Sequence, residues 1–325
     1  MPTFVTLAEI QAAHLRIAGT AAITPLIPLP GTNIHIKAES AQPIGSFKLR
    51  GAFNMISQLP PDQLAKGVIT YSSGNHAQGV AYSARALGTK AVIVMPDNAP
   101  QVKVDATRAL GAEVVFVGPA SSARKLKAEE LAAEHGYAII PPYDHPHIIT
   151  GQATCGLEIV QALPAVDLVL SPVSGGGLLS GTATAVKLAA QAGLCNPAVQ
   201  VWGAEPALAA DAKESFDTKT LVEWPASLTS RTLGDGLRTQ SLGELNFHHI
   251  LRHVDGIVTV TEEEMLAAMR HLLTHTDLIP EPSGAVTFAA ALYHQHELPE
   301  AKEIVVILSG GNIDPTLLET LRTPA

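Results

Sequence analysis

LVLSPVSGGGLLSGTATAVKLAAQA, residues 168–192, reads as three pieces in succession. Leu168–Val173 is a short apolar run with the look of a strand. Ser174-Gly175-Gly176-Gly177 is a turn almost free of side chains, and Leu178–Ala192 is an alanine-rich helical stretch. A strand feeding a helix through a glycine turn is the repeating unit of parallel α/β sheets. Such a turn also suits a phosphate: the glycines let the backbone come close, and the helix N-terminus aims amides and its positive dipole end at an anion. Taken as Gly175-x-Gly177 with Gly181, and with Glu205 after the next strand, the same residues read as a dinucleotide fingerprint.

Outward from this unit the pattern repeats. Apolar, β-branched runs at 33–38, 67–71, 91–95, 113–117, 199–203, 256–260 and 303–308 alternate with amphipathic, alanine-rich stretches. Runs such as AVIVM and IVVIL are apolar without alternation, the mark of strands buried on both faces. The expected fold is α/β with two doubly wound parallel-sheet domains. Residues 1–50 with 150–325 would form a large cofactor-binding domain and 51–149 a smaller, substrate-closing one. Lys213–Phe247 has weak periodicity and reads as a partly irregular excursion.

Composition narrows the function. The formal net charge is −9 over 325 residues, which argues against nucleic acid or anionic lipid as a partner. The N-terminal residues lack a basic segment followed by an apolar one, and the longest uncharged stretch, Leu168–Val186, is broken by Pro172 and several glycines. Two cysteines build neither a disulfide framework nor a cysteine-rich metal site. A soluble, cytoplasmic protein is expected, with a small molecule as its ligand.

Four more segments look like ligand loops: Gly45-Ser46-Phe47-Lys48-Leu49-Arg50-Gly51, Ser72-Ser73-Gly74-Asn75-His76, Glu281-Pro282-Ser283-Gly284 and Ser309-Gly310-Gly311-Asn312. Most are glycine-bearing turns after strands or at helix starts, the edge of an open α/β sheet where ligands bind. Together with Thr24–Leu26, the Gly151–Thr154 helix start and Ser174–Leu178, they form an ordered set along the whole chain. That set resembles the fold type II pyridoxal-phosphate enzymes, similar to tryptophan synthase β, in their serine/threonine dehydratase and serine racemase branch.

The resemblance implies pyridoxal 5'-phosphate as cofactor and the following roles. Lys48 would bind it as a Schiff base and act as catalytic base, with Phe47 beside it. Ser174, Gly175, Gly176, Gly177 and Leu178 would hold its phosphate, Asn75 its ring oxygen, and Ser309 its pyridine nitrogen. Ser72, Ser73, Gly74, Asn75 and His76 would bind the substrate carboxylate, Tyr143 would wall the side-chain pocket, and Ser73 would be a second acid on the opposite face. Glu205, Asp211 and the Ala209 carbonyl fall on the spacing at which several members hold Mg²⁺ or Ca²⁺, hard cations that take oxygen ligands.

The implied activity is that of a hydroxy-amino-acid dehydratase, an ammonia-lyase: β-elimination from L-serine, L-threonine, 3-hydroxyaspartate or phenylserine to a 2-oxo acid and ammonia. It would be a homodimer in amino-acid catabolism, without feedback control, since no regulatory stretch follows Ser309–Asn312. An amino-acid racemase is the alternative within the family, and an NAD(P)-dependent oxidoreductase the alternative outside it. Ser174 stands where many relatives have a first glycine; its hydroxyl would either donate to the phosphate or merely tolerate the turn. His145, His147, His248, His249 and His253 read as loop or surface residues.

Overall fold

The computed structural model describes residues 3–72, 74–99, 101–118 and 121–323. Its strands are β1 (Leu26–Pro28), β2 (Ile34–Ala38), β3 (Val68–Tyr71), β4 (Ala91–Pro96), β5 (Glu113–Val117), β6 (Ala138–Ile139), β7 (Leu168–Pro172), β8 (Gln200–Pro206), β9 (Gly256–Val260) and β10 (Ile304–Leu308). Between them run α1 (Leu7–Ile17), α2 (Lys48–Ile56), α3 (Pro61–Lys66), α4 (Asn75–Ala86), α5 (Gln101–Ala109), α6 (Ser121–His135) and α7 (Pro146–Ala162). The remaining helices are α8 (Gly177–Gln191), α9 (Asp211–Thr218), α10 (Ala226–Thr229), α11 (Glu244–His253), α12 (Glu262–His275), α13 (Pro282–Tyr293) and α14 (Pro315–Arg322). None of the described helices is long and apolar enough to cross a membrane.

The strands form two sheets. The larger has the order β1-β2-β10-β7-β8-β9 and the smaller β5-β4-β3-β6. Every pairing of these strands is parallel except that of the edge strand β1 on β2, so the two parallel-sheet domains expected from the sequence are present. β1 is three residues long and is joined to β2 by a short turn with no crossover helix, so the pair runs antiparallel. The last strand, β10, inserts between β2 and β7, with Ile304 opposite both Ile34 and Leu168.

Continuous apolarity in the strands has the expected cause. Along β7 and β10, Leu168, Leu170, Val306 and Leu308 face one core, packed under α12 and α13. Val169, Val305 and Ile307 face the other, with α7, α8 and α11. Each such side chain contributes about 1.5–3 kcal/mol on burial. The small sheet is sandwiched likewise, with Ile93 and Met95 against α4 and Val92 and Val94 toward α6. α2 is buried nearly throughout and packs on α4 and α7 between the two sheets.

Two expectations change. α7 starts at Pro146, capped by His145, rather than at Gly151. The excursion at 213–247 is partly irregular as expected, with loops between most of α9, all of α10 and the first turn of α11. α11 then takes His249 and His253 into the interior, not to a loop or the surface. His249 is satisfied there on both sides: Nδ1 donates to Leu245 O at 2.8 Å, and Nε2 accepts from Val5 N at 3.1 Å.

Candidate active site

A backbone crossover positions Lys48. Ser46 bridges Gly310 in antiparallel fashion, Phe47 N donates to Ser309 O at 3.1 Å, and Gly311 N donates to Gly45 O at 2.9 Å. The start of α2 is thereby stitched to the C-terminal end of β10, and Lys48 and Ser309 come to one opening. Behind Lys48, the helix is anchored by a buried ion cluster. Arg50 Nε donates to Glu39 Oε2 at 2.7 Å, Arg50 Nη1 to Glu158 Oε1 at 2.6 Å, and Lys37 Nζ to Glu158 Oε2 at 2.5 Å.

Lys48 itself has no carboxylate partner among the described residues. Its Nζ donates to Pro142 O at 2.7 Å and stands 5.1 Å from the Phe47 ring centroid. Burial alone pulls its ammonium down to about 8. A neutral amine, the form a nucleophile or base needs, is therefore within reach near neutrality.

The glycine turn follows β7 and opens α8, as the sequence suggests. Gly176 is left-handed at φ 95°, and a Cβ there would stand 2.9 Å from both Asn246 Cβ and Leu242 Cδ2. α11 holds the turn from outside: Asn246 Nδ2 donates to Gly175 O at 2.8 Å, and Asn246 Oδ1 accepts from Ser180 Oγ at 2.8 Å. The Ser174 hydroxyl lies 2.6 Å from Thr239 Oγ1, so it has a protein partner of its own. Tyr143 packs over Gly175 and Gly177, and burial pushes its phenol up to about 12.

Ser73 lies outside the described residues. Around it, Gly74 N is turned toward Ser72 Oγ at 3.3 Å and α4 begins at Asn75. His76 points away from the opening, its Nε2 3.0 Å from Ile140 O, where Thr70 Oγ1 also donates at 2.7 Å. Burial and the charge of Lys48 take His76 down to about 3, so the ring is neutral and Nε2–H is the donor. This clamp fixes the chain just before Pro142 and Tyr143.

Glu205 at the end of β8 and Asp211 at the start of α9 are both buried, and Ala209 ends the short 3₁₀ turn between them. Lys213 N donates to Glu205 Oε1 at 2.6 Å, but Glu205 Oε2 and Asp211 Oδ2 are buried with no hydrogen-bond partner among the described residues. Burial, then Asp211, pushes the Glu205 carboxyl well up; burial pushes Asp211 up to about 7. A carboxylate sealed in this way does not reach a ribose hydroxyl, which removes the dinucleotide role given to Glu205.

Several residues at the opening carry no role in the sequence reading. Glu281, Asn312 and the Pro142 carbonyl line it, and Asn246 and Thr239 brace it from behind. Glu281 and Asn312 lie in glycine-bearing motifs quoted above; no comparable signal marks the other three.

The residues fit pyridoxal phosphate on their own chemistry: a half-buried amine without a counter-ion, a glycine turn at a helix start, and the buried Ser46 Oγ, which has no hydrogen-bond partner among the described residues. Residues 17–310 match the family described as "Pyridoxal-phosphate dependent enzyme". The L-threo-3-hydroxyaspartate ammonia-lyase of Saccharomyces cerevisiae is 40% identical over 90% of this chain and 86% of its own. The serine racemase of Schizosaccharomyces pombe is 38% identical over 94% of each chain. Among solved structures, the maize serine racemase superposes with a TM-score of 0.91 at 33% identity, over 97% of this chain and 96% of that one. The nicotinamide alternative is set aside, and the chain belongs to the pyridoxal-phosphate dependent enzyme family.

Proposed function

We propose that the protein is an ammonia-lyase that eliminates the β-hydroxyl of a small β-hydroxy amino acid, giving a 2-oxo acid and ammonia. The observation that carries this reading is Lys48: half-buried, without a carboxylate partner among the described residues, and tied through the Ser46–Gly310 bridge to the turn that bears Ser309. When bound, pyridoxal phosphate supplies the electron sink that lets the substrate Cα–H bond break. The amides of Ser174–Leu178 would hold its phosphate at the start of α8, Asn75 would donate to its ring oxygen, and Ser309 would meet its ring nitrogen. A serine hydroxyl is too weak an acid to protonate that nitrogen, which favours prompt loss of the β-substituent over a long-lived carbanion. Lys48 Nζ would take the Cα proton. The amides of residues 72–76 would hold the substrate carboxylate, and Tyr143 would cover the side chain and exclude water. The small sheet would close over the substrate, and two copies would pair in the cytoplasm.

Glu205, Asp211 and the Ala209 carbonyl would hold Mg²⁺ or Ca²⁺. The two orphaned carboxylate oxygens support it, because a cation gives both a partner and cancels their repulsion.

The test is a substrate panel of L-serine, L-threonine, 3-hydroxyaspartate and phenylserine, assayed for 2-oxo acid on the yellow holoenzyme. Borohydride should bleach it and fix the cofactor to Lys48. No 2-oxo acid from any β-hydroxy amino acid would sink the reading. Racemisation is a second reading, favoured by the likeness to the Schizosaccharomyces pombe serine racemase. A chiral assay of wild type and Ser73→Ala decides it, since inversion requires an acid on the second face.

A further inference from the structure

Glu281 has no role in the chemistry above, yet its carboxylate is built into the opening. It stands at the N-terminal boundary of α13 but makes no capping bond with its side chain. Its Oε1 accepts instead from Asn75 Nδ2 at 2.7 Å. Asn75 Oδ1 in turn accepts from Asn312 Nδ2 at 2.7 Å, and Asn312 Nδ2 gives its other hydrogen to Ile44 O at 2.9 Å. An ionised carboxylate only accepts, so it dictates which end of the Asn75 amide faces it. The amide oxygen and one N–H are then spent, and one N–H remains for a ligand.

Gly310 shows how closely this contact is fitted. A Cβ at that position would stand on Glu281 Oε1 and 3.2 Å from Asn75 Nδ2. Glu281 N also donates to Gly310 O at 3.1 Å, so the acid and the turn after β10 are fixed as a unit. The Asn75–Glu281 contact spans the two sheets, because α4 follows β3 while α13 lies on the large sheet.

We propose that Glu281 is a positioning residue: it sets the Asn75 amide so that its free N–H meets the cofactor's ring oxygen. The inference rests on the reading of Asn75 given above. Burial, then Asp235, pushes the Glu281 carboxyl up to about 7, against the lowering effect of Asn75, Lys103 and the Asn312 backbone N–H. Above that pH the carboxylate orients the amide; below it, a protonated Glu281 no longer does. Asp235 and Lys103 are engaged with each other, His76 is neutral throughout, and Lys48 is occupied by the cofactor in the holoenzyme.

The experiment reads the bound cofactor, not turnover. Its visible spectrum is followed from about pH 5.5 to about 8.5, either side of neutrality, for wild type, Glu281→Gln, Glu281→Ala and Asn75→Ala. Affinity is taken from spectral titration. Wild type should show a spectral step with its midpoint near the Glu281 value, and Glu281→Gln, which keeps the shape, should lose the step. Glu281→Ala should weaken cofactor binding about tenfold at high pH, the loss expected of a charge-assisted hydrogen bond. In the Asn75→Ala background it should add nothing. If Asn75→Ala alters spectrum and affinity while both Glu281 variants match wild type, the positioning role is wrong and the Asn75 reading stands. If Asn75→Ala changes neither, both fall.

Discussion

Lys37 and Lys48 are lysines drawn out of solvent on neighbouring elements, and their surroundings are opposite. Lys37 reaches Glu158 and the Thr24 carbonyl, inside a cluster whose two cations and two carboxylates are interleaved. Among the described residues, Lys48 meets only a carbonyl and an aromatic ring. Charge that is balanced in the interior serves the architecture: Arg50, Glu39 and Glu158 tie α2 and α7 to the turn after β2. Charge left unbalanced there is unstable until something arrives to complete it. By that measure Lys48 and the Glu205–Asp211 pair belong together, and in the function proposed above a carbonyl compound would complete the one and a cation the other.

The contrast is broken most severely at Lys48. Lys48→Met should lower elimination at least ~1000-fold, because a general base and the covalent anchor go together, yet the protein should still fold. In the cofactor-free state it should melt at or above wild type at pH 7. The folded state resists protonating Lys48 above about 8 whereas the unfolded chain binds that proton up to 10.5. Wild type therefore bears the full cost below about 8 and recovers stability as the pH rises from there toward 10.5. The gap between the two proteins should narrow over that window in thermal melts. A Lys48→Met protein that melts well below wild type would show that the lysine is structural.

Arg50→Met probes the balanced side. It leaves Glu39 and Glu158 buried with too little positive charge, and losing one partner of such a cluster costs about 3–5 kcal/mol. Urea unfolding at pH 7 checks this. A loss under about 1 kcal/mol would mean the cluster contributes little to stability.

The smallest effect sharpens the comparison at the acid pair. Because both carboxyls are raised, chelated protein should lose stability as the pH climbs from 3.8 toward about 7, with the full cost of the Asp211 charge present above that. Mg²⁺ or Ca²⁺ should restore it, by about 2.7 kcal/mol at a hundredfold excess over Kd, and should shift the melting temperature more at pH 8 than at pH 5. Asp211→Asn should flatten that response. An equal shift in the variant would place the cation elsewhere.

What can be read in the sequence follows from range. The Ser174–Leu178 turn, the Lys48 helix start and the apolar β10 strand are each set by neighbouring residues, so their types are legible. The Asn75–Glu281 contact joins positions 206 apart, and no local pattern announces it. α11 escapes notice for another reason: ELNFHHILRH places histidines on its inner face, and His249 is tolerated there because Val5 supplies a backbone donor. β1 and β6 have three and two residues, too few to show a period.

The place of β10 bears on how the protein is made. β2 is synthesised before β7, and the strand that joins them, 304–308, is made after both. Until then the large sheet is two fragments with open edges, each a template for unwanted pairing. The same late strand carries the Ser309–Gly311 turn that secures Lys48. A nascent chain halted before β10 thus leaves Lys48 without these backbone ties, and the candidate site can close only once residues 304–311 have been made.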